Sequence, residues 1–154
     1  MQQVVVRSAT SQAERVDNRE MPDICLQYLV AVMLLDKNVS FQAAHDKPRM
    51  QEAAVLQQRA KVRLVADDEL ERLLPTRVGI VDIALKDGTR LSERVDNARG
   101  TPENPMIRDE IVAKARDLIT PILGAEKSSK LIARILDLDK VKNMRDLRPL
   151  LQRT

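Results

Sequence analysis

The chain has 154 residues, 44% apolar and 32% charged, the size and balance of one globular domain rather than of a disordered chain. Its 26 basic and 23 acidic side chains are interspersed, leave a net charge of +3, and are accompanied by only Tyr28 and Phe41 as aromatics, which argues against a nucleic-acid partner. No apolar run nears the ~20 residues a membrane helix needs, the start Met-Gln-Gln-Val is no export leader, and the lone Cys25 fits a reducing compartment, so a cytoplasmic protein with no membrane contact is expected.

Val4-Val5-Val6 predicts a short strand near a sheet edge, and Ser8 to Glu20, which lacks an apolar period, predicts a loop. Pro22 opens a helix and Asp23 complements its dipole; ICLQYLVAVMLL from Ile24 to Leu35 is apolar nearly all round, which predicts a central helix buried on every side. Short helical turns are expected at Phe41–His45, Gln51–Arg59 and Glu69–Leu74, with a strand at Val62–Ala66. Val78 to Val95 predicts a β-hairpin around Lys86-Asp87-Gly88. A two-residue loop would set Asp82 against Glu93, whereas a three-residue loop with a left-handed Gly88 sets Ile83 opposite Leu91. The second register gathers Val81, Ile83, Leu85, Leu91 and Val95 on one buried face. Thr101-Pro102-Glu103-Asn104-Pro105 then forms a stiff connector. Beyond it three helical periods run through Ile111–Ile119, Leu131–Leu136 and Leu147–Leu151, punctuated by Pro121 and Gly124. The expected fold class is α+β: a small, mostly antiparallel sheet with a buried central helix, then a helical carboxy-terminal tail. Residues 1–100 form the α+β part and 101–154 the connector and tail, as one structural unit.

The chemistry such a chain can carry is restricted. A lone Cys25 and a lone His45 cannot make a metal site, and glycines dispersed at 79, 88, 100 and 124 make no phosphate loop. With one histidine there is no nucleophile with a base and its orienting partner. His45 beside Asp46 reads as a polar residue closing a short helix. Tyr28 is the residue of interest, because a phenol in an apolar helix must either find a hydrogen-bond partner in the core or reach a cavity.

Three segments carry a resemblance: VDNREMPDICLQYLVAVMLLD, the hairpin IALKDGTRLSERV, and RGTPENPMIRDEIVAKARDL. In that order and spacing they resemble the carboxy-terminal part of the MmgE/PrpD family, which includes 2-methylcitrate dehydratase, cis-aconitate decarboxylase and iminodisuccinate epimerase types. The resemblance runs from about Val4 to Leu151. It implies an α+β lid followed by helices that return to a large helical domain, and proton transfer next to a substrate carboxylate without metal or organic cofactor. It also implies that Tyr28 faces the cleft. Arg99, at the end of the hairpin, is a candidate for carboxylate contact beside its reading as an exposed strand-end arginine. Two positions depart from the family pattern. Ile107 stands where Ser or Thr usually caps the helix, which leaves Asn104 as a possible substitute, and Lys37-Asn38 stand where the loop is usually glycine-rich.

The expectation is therefore the lid and tail of a lyase or isomerase acting on a small di- or tricarboxylate, inactive without the helical catalytic domain. The alternative is a non-catalytic interaction domain. The expected partners are a second copy of the chain, through the tail's apolar stripes, and a separately encoded helical domain of the same family.

Overall fold

The computed structural model describes residues 1–152. The chain divides into two compact units, Met1–Asn104 and the residues from Pro105 on.

The first unit is built on a four-stranded mixed sheet of order β2-β1-β3-β4, with β1 at Gln3–Ala9, β2 at Val62–Asp67, β3 at Gly79–Ala84 and β4 at Arg90–Val95. β1 pairs parallel with β2 and antiparallel with β3, and β3 pairs antiparallel with β4. The valine run is thus an interior strand, not an edge strand. Its outer neighbour β2 arrives through a long crossover that no local pattern announces.

The segment expected as a loop holds a helix, α1 (Thr10–Val16), whose one buried residue is Ala13. Long-range polar contacts hold it instead of an apolar stripe. Thr10 Oγ1 donates to Asp68 at 2.6 Å, and both the amide and the hydroxyl of Ser11 donate to Glu71 at 3.0 Å.

A 3-10 turn at Pro22–Ile24 leads through Cys25 into the central helix α2 (Leu26–Asp36). Two faces of α2 are buried against different neighbours. Leu26, Val30 and Leu34 pack with Val4, Val6, Val62, Val81 and Ile83 on one face of the sheet. Tyr28, Ala31 and Val32 cluster with Cys25, Ala43, Met50 and Val55, which come from α3 (Phe41–His45), a 3-10 turn at Pro48–Gln51, and α4 (Ala53–Arg59). The helix is not buried on every side, because Met33 and Leu35 are 47% and 38% exposed. Gln27 is fully buried and ties down the preceding loop: its Nε2 donates to Asp17 Oδ1 at 2.6 Å and its Oε1 accepts the Asn18 amide at 2.9 Å.

α2 ends on Lys37 in the left-handed region, φ 61°. Glycine takes that conformation without steric cost and lysine does not. A glycine-rich family pattern is therefore expected there on physical grounds, and here a Lys37 Nζ bond to the Leu34 carbonyl at 2.9 Å accompanies the departure.

The hairpin has the register argued from like-charge repulsion. Ile83 faces Leu91, and Asp82 faces Ser92 and accepts its hydroxyl at 2.6 Å. Gly88 is left-handed, φ 88°, and Asp87 accepts the Thr89 amide at 3.0 Å. One part of the expectation fails. Val81 and Ile83 pack in the cluster that α2 covers, but Leu91 and Val95 on the same face are 53% and 46% exposed, on the edge strand of the sheet. A one-turn helix, α5 (Asp68–Glu71), starts on Asp67, whose carboxylate accepts the Glu69 and Leu70 amides.

The second unit holds α6 (Arg108–Leu123), α7 (Ala125–Leu136) and α8 (Arg148–Leu151), with 3-10 turns at Leu138–Lys140 and Met144–Leu147. Asn104 does not cap α6; its carboxamide bonds Arg99 and the Asn97 carbonyl. The first-turn Glu110 instead accepts the Ile107 amide at 2.8 Å, half of a capping box. Pro121 lies inside α6, and Gly124, φ 76°, separates α6 from α7. Leu123, Leu131, Ile132 and Leu147 are buried, whereas Ile111, Ile122, Ile135 and Leu151 are 53%, 51%, 49% and 62% exposed. Among the described residues no helix is long and apolar enough to cross a membrane.

Candidate functional site

Tyr28 sits in the first turn of α2, which the apolar run of the helix places against α3 and α4. Its side chain has no solvent exposure, and its hydroxyl donates to the Ala43 carbonyl at 2.6 Å, with the Asp46 carbonyl at 3.4 Å. Burial pushes its pKa above the ordinary value, while Arg49 nearby pulls the other way and Asp46, Glu52 and Asp36 reinforce the rise. The phenol is therefore a neutral donor, buried beneath the Ser40–Asp46 segment that supplies its acceptor. Ser40 begins that segment by accepting the Ala43 amide at 3.1 Å, so the carbonyl bound by Tyr28 belongs to a capped turn. Direct contact of the phenol with a ligand requires this turn to move.

Beside it lies a charged pair that sequence reasoning missed. Arg49 Nη2 bonds both carboxylate oxygens of Asp36, at 2.8 and 2.7 Å. The Arg49 amide donates to Asp46 Oδ1 at 3.0 Å. Arg49 is held firmly in its charged form, chiefly by the hydrogen bond to Asp36, while its Nε is buried without a hydrogen-bond partner. The two residues are 13 apart in sequence on either side of α3, so no helical or strand spacing signals them. The only hint was two opposite charges flanking a short helix.

Arg99 lies elsewhere, at the end of the hairpin, where its guanidinium donates to Asn104 Oδ1 at 2.6 Å. That bond belongs to a small connector structure in which Thr101 and Asn104 also form an isolated bridge. Tyr28 and Arg99 thus belong to separate neighbourhoods, one in the α2 cluster and one on the surface. His45 stacks on Phe41 with ring centroids 4.1 Å apart, and its Nδ1 lies 2.7 Å from the Phe41 carbonyl, as suits a residue closing α3. Among the described residues no group of three or more His, Cys, Asp or Glu gathers as a metal site would require.

The arrangement offers a neutral phenol, a fixed guanidinium–carboxylate pair, and the further carboxylates of Asp46 and Glu52 close enough to act on the phenol. Those groups can hold or donate to an oxygen. No curated protein sequence matches the chain significantly. A family model described as the MmgE/PrpD C-terminal domain matches residues 1–139. That match spans the strand, central helix, hairpin and connector as well as α6 and α7, and with it the chain belongs to the MmgE/PrpD family as its carboxy-terminal domain.

Proposed function

We propose that this domain serves a lyase or isomerase of the dehydratase type acting on a small di- or tricarboxylate, by closing over the substrate and excluding water from it. The observation that carries this reading is the family match over residues 1–139. The domain's own groups suit a supporting part. Excluding water strengthens every charge–charge contact inside a cleft, and a proton next to a carboxylate is removed most readily where developing negative charge meets fixed donors. Tyr28 is the donor proposed for the cleft, reached when the turn that bears the Ala43 carbonyl lifts, and Arg99 is a second contact for a carboxylate. No metal or organic cofactor is required for that chemistry. The cytoplasm is the proposed compartment.

The test is reconstitution. The purified chain is assayed with hydroxylated and unsaturated tricarboxylates, alone and mixed with the helical domain of a family member. The chain alone is expected to give no turnover, because its 154 residues hold one histidine and the Asp36 carboxylate near Tyr28 is committed to Arg49. The mixture is expected to give turnover that Tyr28→Phe lowers. Activity of the chain alone at the rate of the mixture would refute the division of labour.

A second reading is favoured by the exposed apolar side chains of α6, α7 and α8. Ile111, Ile122, Ile135 and Leu151 are each about half exposed or more, and burying apolar area is worth ~25 cal/mol per Å2. We propose that a second copy of the chain covers them as a two-fold dimer. A separately encoded helical domain is the competing occupant, and sedimentation equilibrium of the chain with and without such a domain separates the two.

A further inference from the structure

A groove of about 740 Å3 opens in the first unit between the end of β1, α1, the start of α2 and the loop before β3. Its lining is mixed, with Val16, Leu26 and Leu74 among the apolar side chains and Ser8, Arg15 and Arg77 among the polar ones. Three observations set it apart. First, both arginines are exposed, and among the described residues neither guanidinium makes an ion pair or hydrogen bond; only the Arg15 carbonyl takes a side-chain bond, accepting from Arg19 Nε. Second, no acidic residue lines the groove, and the nearby Glu71 is already taken by the amide and hydroxyl of Ser11. Third, the Ser8 hydroxyl is buried with no hydrogen-bond partner, a group whose cost a ligand acceptor would relieve.

Two unpaired guanidinium groups beside apolar side chains, with no carboxylate in the lining itself, match a particular kind of ligand: a small aliphatic chain with an anionic group at each end. The geometry points to a dianion site in which Arg15 and Arg77 each take one carboxylate and the hydrocarbon between them lies on Leu26 and Leu74. The carbon chain distinguishes this ligand from inorganic phosphate, which would use the charges and leave the apolar side chains uncovered. The choice of a carboxylate rests on the function proposed above, and the place of the site rests on the groove alone. Tyr28 is on a different face of α2 from Leu26, so the groove is not the phenol's neighbourhood.

Isothermal titration calorimetry of the full chain at low ionic strength tests it with succinate, acetate and inorganic phosphate. Succinate is expected to bind at least about tenfold more tightly than acetate, since a monocarboxylate forgoes one charge-assisted contact. Arg15→Gln and Arg77→Gln are each expected to weaken succinate by about tenfold. Arg63→Gln, an exposed arginine on β2 outside the groove lining, is expected to leave it unchanged. Far-UV circular dichroism confirms that the variants fold. Equal binding of succinate and acetate, tighter binding of phosphate than succinate, or identical affinities for all three variants each overturns the site. Binding is read on the chain alone, so absence of turnover after reconstitution bears on the proposed reaction and not on this groove.

Discussion

Replacing Tyr28 with phenylalanine removes one oxygen and leaves the ring in the α2 cluster. What disappears is a hydrogen bond of 2.6 Å to the Ala43 carbonyl, made in a site with no solvent. That carbonyl is not orphaned, because the Asp46 amide also approaches it at 3.4 Å, so no full desolvation penalty is left behind. The expected loss is that of an ordinary buried hydrogen bond, about 1 kcal/mol. With a urea slope of about 1.5 kcal/mol per molar for a small protein, the midpoint falls by roughly 0.7 M. Tyr28→Ala should cost far more, about 3–5 kcal/mol, because it opens a cavity among Cys25, Met50 and Val55. Urea titrations followed by far-UV circular dichroism read both values. An unchanged or raised midpoint for Tyr28→Phe would refute the reasoning. The hydroxyl would then not be committed to Ala43, and the phenol would be available to a ligand without moving the covering turn.

Three further outcomes follow from particular contacts. Tyr28 is the sole tyrosine, so its ionisation can be followed by tyrosinate absorbance; burial raises its pKa above 10.0. The native signal should therefore lag behind an unfolded control, and stability that is complete below pH 10 should be lost as pH rises through the folded value; a native titration centred on the unfolded value would contradict the buried site. Lys37→Gly should raise stability by about 1 kcal/mol by relieving the left-handed conformation at the end of α2, less the exposed bond to Leu34, and a lower urea midpoint would count against it. Ile135→Asp should weaken any self-association without unfolding α7, since Ile135 is 49% exposed; an unaltered dimer mass in sedimentation equilibrium would remove α7 from the proposed interface.

Legibility in the sequence followed the range of the interactions. The hairpin register could be derived because its decisive terms are local: a glycine able to take positive φ, and two acidic residues that one register would force together. The interior position of β1 could not, because it depends on a parallel partner more than fifty residues away. Helix α1 was missed for a related reason. Its sequence TSQAERV has no apolar stripe, and what fixes it are the side chains of Asp68 and Glu71, which no window around Thr10 contains. The apolar character of α2 was plain, but which strip stayed bare depended on where α3, α4 and the sheet stop. At the candidate site, chemistry required that the Tyr28 phenol find a partner, and only the fold could name Ala43. The Asp36–Arg49 pair has no periodic signature at all.

Gln27 ties the two arms of one loop together. Arg15 and Val16 stand on the α1 side of that loop and Leu26 on the α2 side, and a single carboxamide grips Asp17 and Asn18 between them. A primary amide is the side chain that can donate to the one and accept from the other at once. The groove's two banks are consequently set before any ligand arrives, and less freedom remains to be lost on binding. Leucine at this position would keep much of the volume but sever both strands of the tie, and glutamate would sever the one to Asp17. Affinity for a dianion would then fall through looseness of the banks, although no atom touching the ligand had changed.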